Sequence, residues 1–346
     1  MNDKPDIERI RVLHDVQTHF ELPNDARKNL ESQLSSVDQD RVERFVSGFK
    51  IEDWFEWIFC AMPWAVLIHG LDQQQFPTRS KSLYQVPDFL MLVETTALTH
   101  QPLLVEVKRV QRDKTTLKLA SSQVSIAEAY AESLGMPIVY VVYWEKFNVW
   151  TVNTPDTLNR KSSSAKLPLT RALEFDCSLI LGDVSYFLPQ SLQRTSLFDK
   201  SATITDSSVR HTDHGAMVCD SAKLGDRTVE LEGFESAAID CALSMIERDI
   251  RTSPGGQVQS KSSPSDNYMI KLSTWITRHL AIFDTTPSET LSNGSAHAIT
   301  ELMEKLGCPK LQMFPTDRSF QIQQLATLFM TPAQVEEVAT SDSHAS

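Results

Sequence analysis

Hydrophobic and polar positions change period several times along the chain. Ile7, Ile10, Val12, Leu13 and Val16 share one helical face, and Pro23-Asn24-Asp25 reads as a break followed by a new helix start. Leu30, Leu34, Val42 and Phe45 keep the helical spacing up to Gly48. Residues 51–62 are strongly apolar, with Trp54, Phe55, Ile58 and Phe59, and Pro63 ends that helix. The spacing then shortens. Residues 64–69, 85–93 and 102–107 predict three strands. Residues 117–134 predict an Ala-rich helix closed by Gly135-Met136-Pro137. The β-branched and aromatic run 138–144 predicts a buried strand, with 147–152 as its hairpin partner. The order is helix, three strands, helix, strand.

Beyond Asn153 the pattern thins. Residues 178–188 predict a strand pair or an extended segment, 199–215 a polar loop, and 217–231 two short strands. Residues 234–250, 268–283, 297–306 and 320–330 carry helical spacing, separated at 253–266 by a Ser/Gly/Pro-rich stretch of linker composition. The expected division is a helical region at 1–48, an α/β (α+β) domain at 49–190, a mainly helical domain at 216–332 and a disordered tail at 333–346.

Composition narrows the class. Of 346 residues, 41% are hydrophobic and 23% charged, the balance of a globular chain with a real core. No apolar run approaches the ~18 residues of a membrane span, and the polar segment 1–11 does not read as a secretory signal. Five scattered cysteines make neither a disulfide framework nor a zinc knuckle. The expectation is a cytoplasmic protein with no membrane partner. A net charge of −12 argues against a nucleic-acid partner, because phosphate binding needs Lys and Arg. The charge is unevenly spread, however. Residues 108–171 hold 10 basic and 5 acidic side chains in an otherwise acidic chain.

That basic stretch begins at a chemical motif. Pro87-Asp88 lies within one predicted strand and Glu106-Val107-Lys108 ends the next. Side chains alternate along a strand, so Glu106 and Lys108 share a face, and antiparallel pairing brings Asp88 beside them. Two carboxylates with the Val107 carbonyl form a hard-oxygen set suited to Mg²⁺ (or Mn²⁺), and a neighbouring Lys can orient water or neutralise charge on a phosphate. The plain alternatives are a solvated edge-strand face for Glu106 and Lys108, and a turn or cap for Asp88.

Pro-Asp, with Glu eighteen residues on and a Glu-x-Lys triplet, resembles the PD-(D/E)XK nuclease superfamily. The wording VPDFL…LLVEVK is also similar to TnsA-type endonucleases and to nucleases of restriction and phage-defence systems. The resemblance covers roughly residues 45–155. It implies a restriction-endonuclease-like core, a divalent metal held by Asp88 and Glu106, and Lys108 as catalytic lysine. It also implies a helix ligand, Glu56 or, one turn earlier, Glu52, and a helix Gln at Gln123. The implied activity is metal-dependent hydrolysis of DNA phosphodiesters, in antiviral defence, restriction or transposition, with partner subunits or as a homo-oligomer. A catalytically silent DNA-docking subunit and an RNA-directed nuclease are the alternatives.

Arg109, Arg112, Lys114 and Lys118 follow the motif and read as phosphate contacts or as a solvated face; Arg160, Lys161, Lys166 and Arg171 extend the basic region. His211, Asp213, His214, Cys219 and Asp220 offer metal-ligating chemistry, but their spacing fits no zinc class and reads as a polar loop.

Overall fold

The computed structural model describes residues 42–311, leaving out 73–74, 95–99, 203–209, 212, 233–234, 237–238, 240–245, 264–267 and 282–288. The helices expected before residue 42, the helix at 320–330 and the tail at 333–346 lie outside the described residues.

A mixed five-stranded sheet organises the first part. Helix α1 (Val42–Phe59) precedes β1 (Ala65–Gly70), β2 (Phe89–Val93) and β3 (Gln101–Val110). Strand β4 (Thr116–Ala120) leads into α2 (Ser121–Leu134), then β5 (Ile138–Trp144) and β6 (Val149–Asn153). The sheet order is β1-β2-β3-β5-β6, antiparallel throughout except for the parallel β3–β5 pair, which α2 connects. The predicted helix at 117–134 therefore begins later than expected. Leu117 and Leu119 alternate toward the core as a strand, and the helix starts at Ser121. Gly135 ends α2 at a φ of 64° that favours glycine.

Alternation decides which face each strand residue serves. Leu103, Val105 and Val107 of β3 pack on the α1 side with Phe89, Met91 and Val93 of β2. Phe55 and Phe59 of α1 stack at 4.7 Å and meet Phe89 and Trp150 at 5.0 and 5.8 Å. Leu104 faces the other way, where Ala127 and Ala131 let α2 lie close to the sheet. Every residue of β5 is buried, as befits a strand covered on both faces.

Strand β8 (Ser164–Pro168) pairs with β4 on one side and with β7 (Asn159–Arg160) on the other, in a small sheet over the α2 side followed by α3 (Leu169–Glu174). Strand β9 (Ser185–Leu188) begins a second region. It contains β10 (Gln193–Asp199), β11 (Arg210–His211), β12 (Gly215–Leu224), β13 (Arg227–Glu230), β14 (Ile246–Ser253) and β15 (Gly256–Ser262). It closes with β16 (Tyr268–Lys271), α4 (Leu272–Leu280), α5 (Glu289–Lys305) and β17 (Lys310–Leu311).

The expectation of a mainly helical second half is corrected here. Strands β10 to β15 form a six-stranded antiparallel sheet, and β16-β9-β17 form another. The linker-like stretch at 253–266 is largely strand β15, joined to β14 by a tight turn at Pro254-Gly255. Its polar sequence hides a strand because the ladder is made by main-chain groups, which every residue type carries. The expected polar loop around 211–220 is mostly β12, where Asp220 takes bonds from Arg194 and Ser196. The two regions share one core. Trp275, Ile276, Ile299 and Leu302 of α4 and α5 join Phe59 and Trp150 in it. Among the described residues no helix is long and apolar enough to cross a membrane.

Candidate active site

Strands β2 and β3 place the motif on the α2 side of the sheet. Ladder pairing of β2 with β3 starts at Phe89 opposite Val105. Just before it, the Asp88 carboxylate accepts the main-chain N–H of Val107 at 2.7 Å. This bond fixes Asp88 at the point where the Glu-x-Lys triplet begins.

Glu106 and Lys108 project together from β3. The Lys108 Nζ lies 2.7 Å from Glu106 Oε1 and 3.7 Å from Asp88 Oδ2, and it donates to the Val107 carbonyl at 2.9 Å. Three kinds of oxygen thus surround one ammonium. The Glu106 side chain is 3% exposed. Its Oε1 also accepts from the Gln85 amide at 2.9 Å, whereas its Oε2 is buried without a hydrogen-bond partner.

The electrostatics follow from this crowding. Burial, then the nearby Asp88 charge, pushes the Glu106 carboxyl up to about 7 against the pull of Lys108. Burial works against the Lys108 charge. Glu106, Asp88 and, more weakly, Glu52 outweigh it and hold the ammonium protonated well above the usual lysine range. Tyr140, directly beside Glu106 on β5, has its hydroxyl pushed far up by burial and by the Glu106 charge.

The structure thus brings together Asp88, Glu106, the Val107 carbonyl and Lys108. Glu52 of α1 contributes to the field at Lys108, and Glu56 sits one turn on, half-buried, on the same helix. Gln123 does not join the cluster. Its exposed amide oxygen turns back to the Ala120 N–H at 3.4 Å and caps α2. Arg109 alternates onto the opposite face from Lys108 and is held by Glu145 through its Nε and Nη2 at 3.1 and 2.9 Å. Arg112 and Lys114 are exposed on the β3–β4 turn, where Lys114 donates to Gln111. Lys118 is exposed on β4 directly opposite Lys166 of β8. Gln85 escaped the sequence reading because a neutral amide three residues ahead of Asp88 carries no signal of its own. Its main-chain N–H is bonded to the Ile126 carbonyl of α2, and that anchor brings its side chain to Glu106.

The donor set suits a hard divalent cation. Asp88, Glu106 and the Val107 carbonyl are all oxygen ligands, and the partnerless Glu106 Oε2 is the kind of buried acceptor that a cation would satisfy.

No family model matches this chain, and no curated protein matches it. Among solved structures, it is similar to Hjc, a Holliday junction resolvase from the archaeal hyperthermophile Archaeoglobus fulgidus. That likeness covers 39% of this chain and 96% of the resolvase, at 17% identity and a TM-score of 0.29.

Proposed function

We propose that this chain is a metal-dependent DNA endonuclease of the PD-(D/E)XK type, serving in a phage-defence, restriction or transposition system. The observation that carries the reading is the convergence of Asp88, Glu106 and the Val107 carbonyl on the Lys108 ammonium, with Glu106 Oε2 buried and partnerless. Asp88, Glu106 and the Val107 carbonyl would hold Mg²⁺ or Mn²⁺, with Glu52 or Glu56 on α1 as a further carboxylate. A bound divalent ion there supplies a water of lowered pKa and counter-charge for a phosphate.

The protein's own groups do the rest. Asp88 is kept from swinging by the Val107 N–H. Gln85 holds Glu106 through Oε1 and so directs Oε2 outward from that bond. Lys108, held protonated by Glu106 and Asp88, stands beside the oxygens that would hold the ion. It is available to orient the attacking water or to neutralise the charge that builds on the phosphate oxygens.

The test is plasmid cleavage by the full chain with Mg²⁺ or Mn²⁺, beside Asp88→Ala and Lys108→Ala. Cleavage by wild type alone is the expected result. Equal cleavage by all three proteins rules out this site.

One observation favours a second reading. The Lys108 ammonium already lies within ion-pair distance of both carboxylates, so the cluster also makes sense as an internal ion group in a non-catalytic DNA-docking subunit. Calorimetry with Mg²⁺ separates the two. The endonuclease binds the ion and loses it in Asp88→Ala, and the docking subunit binds none.

A further inference from the structure

The chain between β1 and Asp88 is closed at its base. The Leu71 N–H donates to the Asp88 carbonyl at 2.9 Å, and the Gln85 N–H to the Ile126 carbonyl of α2 at 3.1 Å. The loop is therefore fastened to the main chain of Asp88 and, through the Gln85 side chain, to the Glu106 carboxylate.

Residues 75–84 within it have an unusual surface. Phe76 is 82% exposed and Leu83 60% exposed, and Phe76 is the most exposed large hydrophobic side chain among the described residues. Burying a phenylalanine is normally worth about 1.5–3 kcal/mol, so this exposed ring gains by packing on a ligand. Arg79 and Lys81 follow it, both exposed. There is no Asp or Glu from 75 to 84, in a chain of net charge −12.

The segment is also built to stay in place. The Pro77 carbonyl accepts from Ser80 at 2.8 Å, and the Ser80 carbonyl accepts from both Leu83 and Tyr84 at 2.9 Å. The Ser82 hydroxyl donates to the Arg79 carbonyl at 2.8 Å. Arg79 and Lys81 thus sit on one short 3-10 turn whose end is tied next to Gln85. A preformed turn gives up little entropy when a ligand arrives.

Resting on the DNA-endonuclease reading, the geometry points to residues 76–81 as a DNA-contacting element of that site. Phe76 stacks on a base that has left the duplex stack, and Arg79 and Lys81 hold the adjoining phosphates. A phenyl ring cannot stack on a base still sandwiched between its neighbours. The substrate is accordingly DNA with an unstacked position, such as a bulge, a branch or a single-stranded junction. The net negative charge of the chain fits a substrate chosen by shape more than by overall phosphate attraction.

The experiment is fluorescence anisotropy of the full chain in EDTA with three labelled DNAs: a fully paired duplex, the same duplex with a one-base bulge, and a single strand. An RNA hairpin with a bulge is the fourth probe. Wild type is expected to prefer the bulged DNA. Phe76→Ala removes that preference, weakening the bulged complex about tenfold while leaving the paired duplex unchanged, and Phe76→Trp keeps it. The double variant Arg79→Ala/Lys81→Ala weakens all DNAs together and reduces the salt slope by roughly 2. Identical affinities for wild type and Phe76→Ala on every DNA overturn the proposal, as does tighter binding to the RNA hairpin.

Repeating the binding in the Asp88→Ala background separates this inference from the catalytic reading. The expected pattern without any cleavage by wild type supports the loop and overturns catalysis. Cleavage by wild type with Phe76→Ala unaltered in binding overturns the loop alone. A wild type that binds no DNA overturns both.

Discussion

The side-chain amide of Gln85 donates to Oε1 of Glu106 at 2.9 Å, and Lys108 takes the same oxygen at 2.7 Å, so Oε2 alone is left without a partner. Removing the amide frees the carboxylate to rotate. Gln85→Ala is expected to weaken Mg²⁺ binding by about tenfold, the effect typical of an outer residue that orients a metal ligand. Calorimetry measures it, and an unchanged affinity would show that Gln85 positions nothing.

Asp88 has two jobs that two substitutions can separate. Its carboxylate accepts the Val107 N–H, a bond that Asn can keep through its side-chain carbonyl. Asp88→Asn is expected to abolish Mg²⁺ binding with little loss of stability. Asp88→Ala is expected to abolish binding and to cost about 1–3 kcal/mol, because the Val107 N–H loses its partner. Urea unfolding of the two variants gives the comparison.

Glu106 makes stability depend on pH in a direction opposite to that of an ordinary salt-bridged carboxylate. Its folded-state pKa, about 7, is raised by burial and then by Asp88 above the 4.5 of a free glutamate. Between those values the folded chain binds more protons than the unfolded chain, so this group makes stability fall as pH rises. The loss is complete above about pH 7. The melting temperature in EDTA is expected to drop between pH 5 and 8 more for wild type than for Glu106→Gln. Parallel curves would show that the carboxyl is not held in this state.

Lys271 ties the second region to the sheet. Its buried Nζ donates to the Trp150 carbonyl and to Asp176 Oδ2, each at 2.6 Å, and lies 3.2 Å from Asp183 Oδ2. Asp183 in turn accepts from the main chain and hydroxyl of Ser273 at the start of α4. Lys271→Met leaves the buried Asp183 and the half-buried Asp176 without their cation and is expected to cost about 3–5 kcal/mol in urea unfolding. Adding Asp183→Asn should recover part of that loss, since one uncompensated charge is removed. A double variant no more stable than the single one would contradict this account.

The sequence by itself determined the order of elements from α1 to β6 except for β4, whose residues were expected at the start of α2. The short apolar run FLMLV, bounded by polar residues, and the β-branched run IVYVVYW point to the strands β2 and β5. It also determined that Glu106 and Lys108 share a face, a consequence of the two-residue period of any strand. What the tertiary structure decided concerns groups whose role depends on distant partners. Gln85 reaches Glu106 only because its N–H is anchored on α2. Arg109, adjacent to Lys108 in sequence, is taken by Glu145 across the β3–β5 pair. In the second half the two strands expected at 217–231 are present as β12 and β13, whereas β10, β14 and β15 escaped the reading of hydrophobic periods. The segment GQVQSKS is held by main-chain ladders that composition does not encode, and one of its two pairing partners, β10, lies tens of residues away.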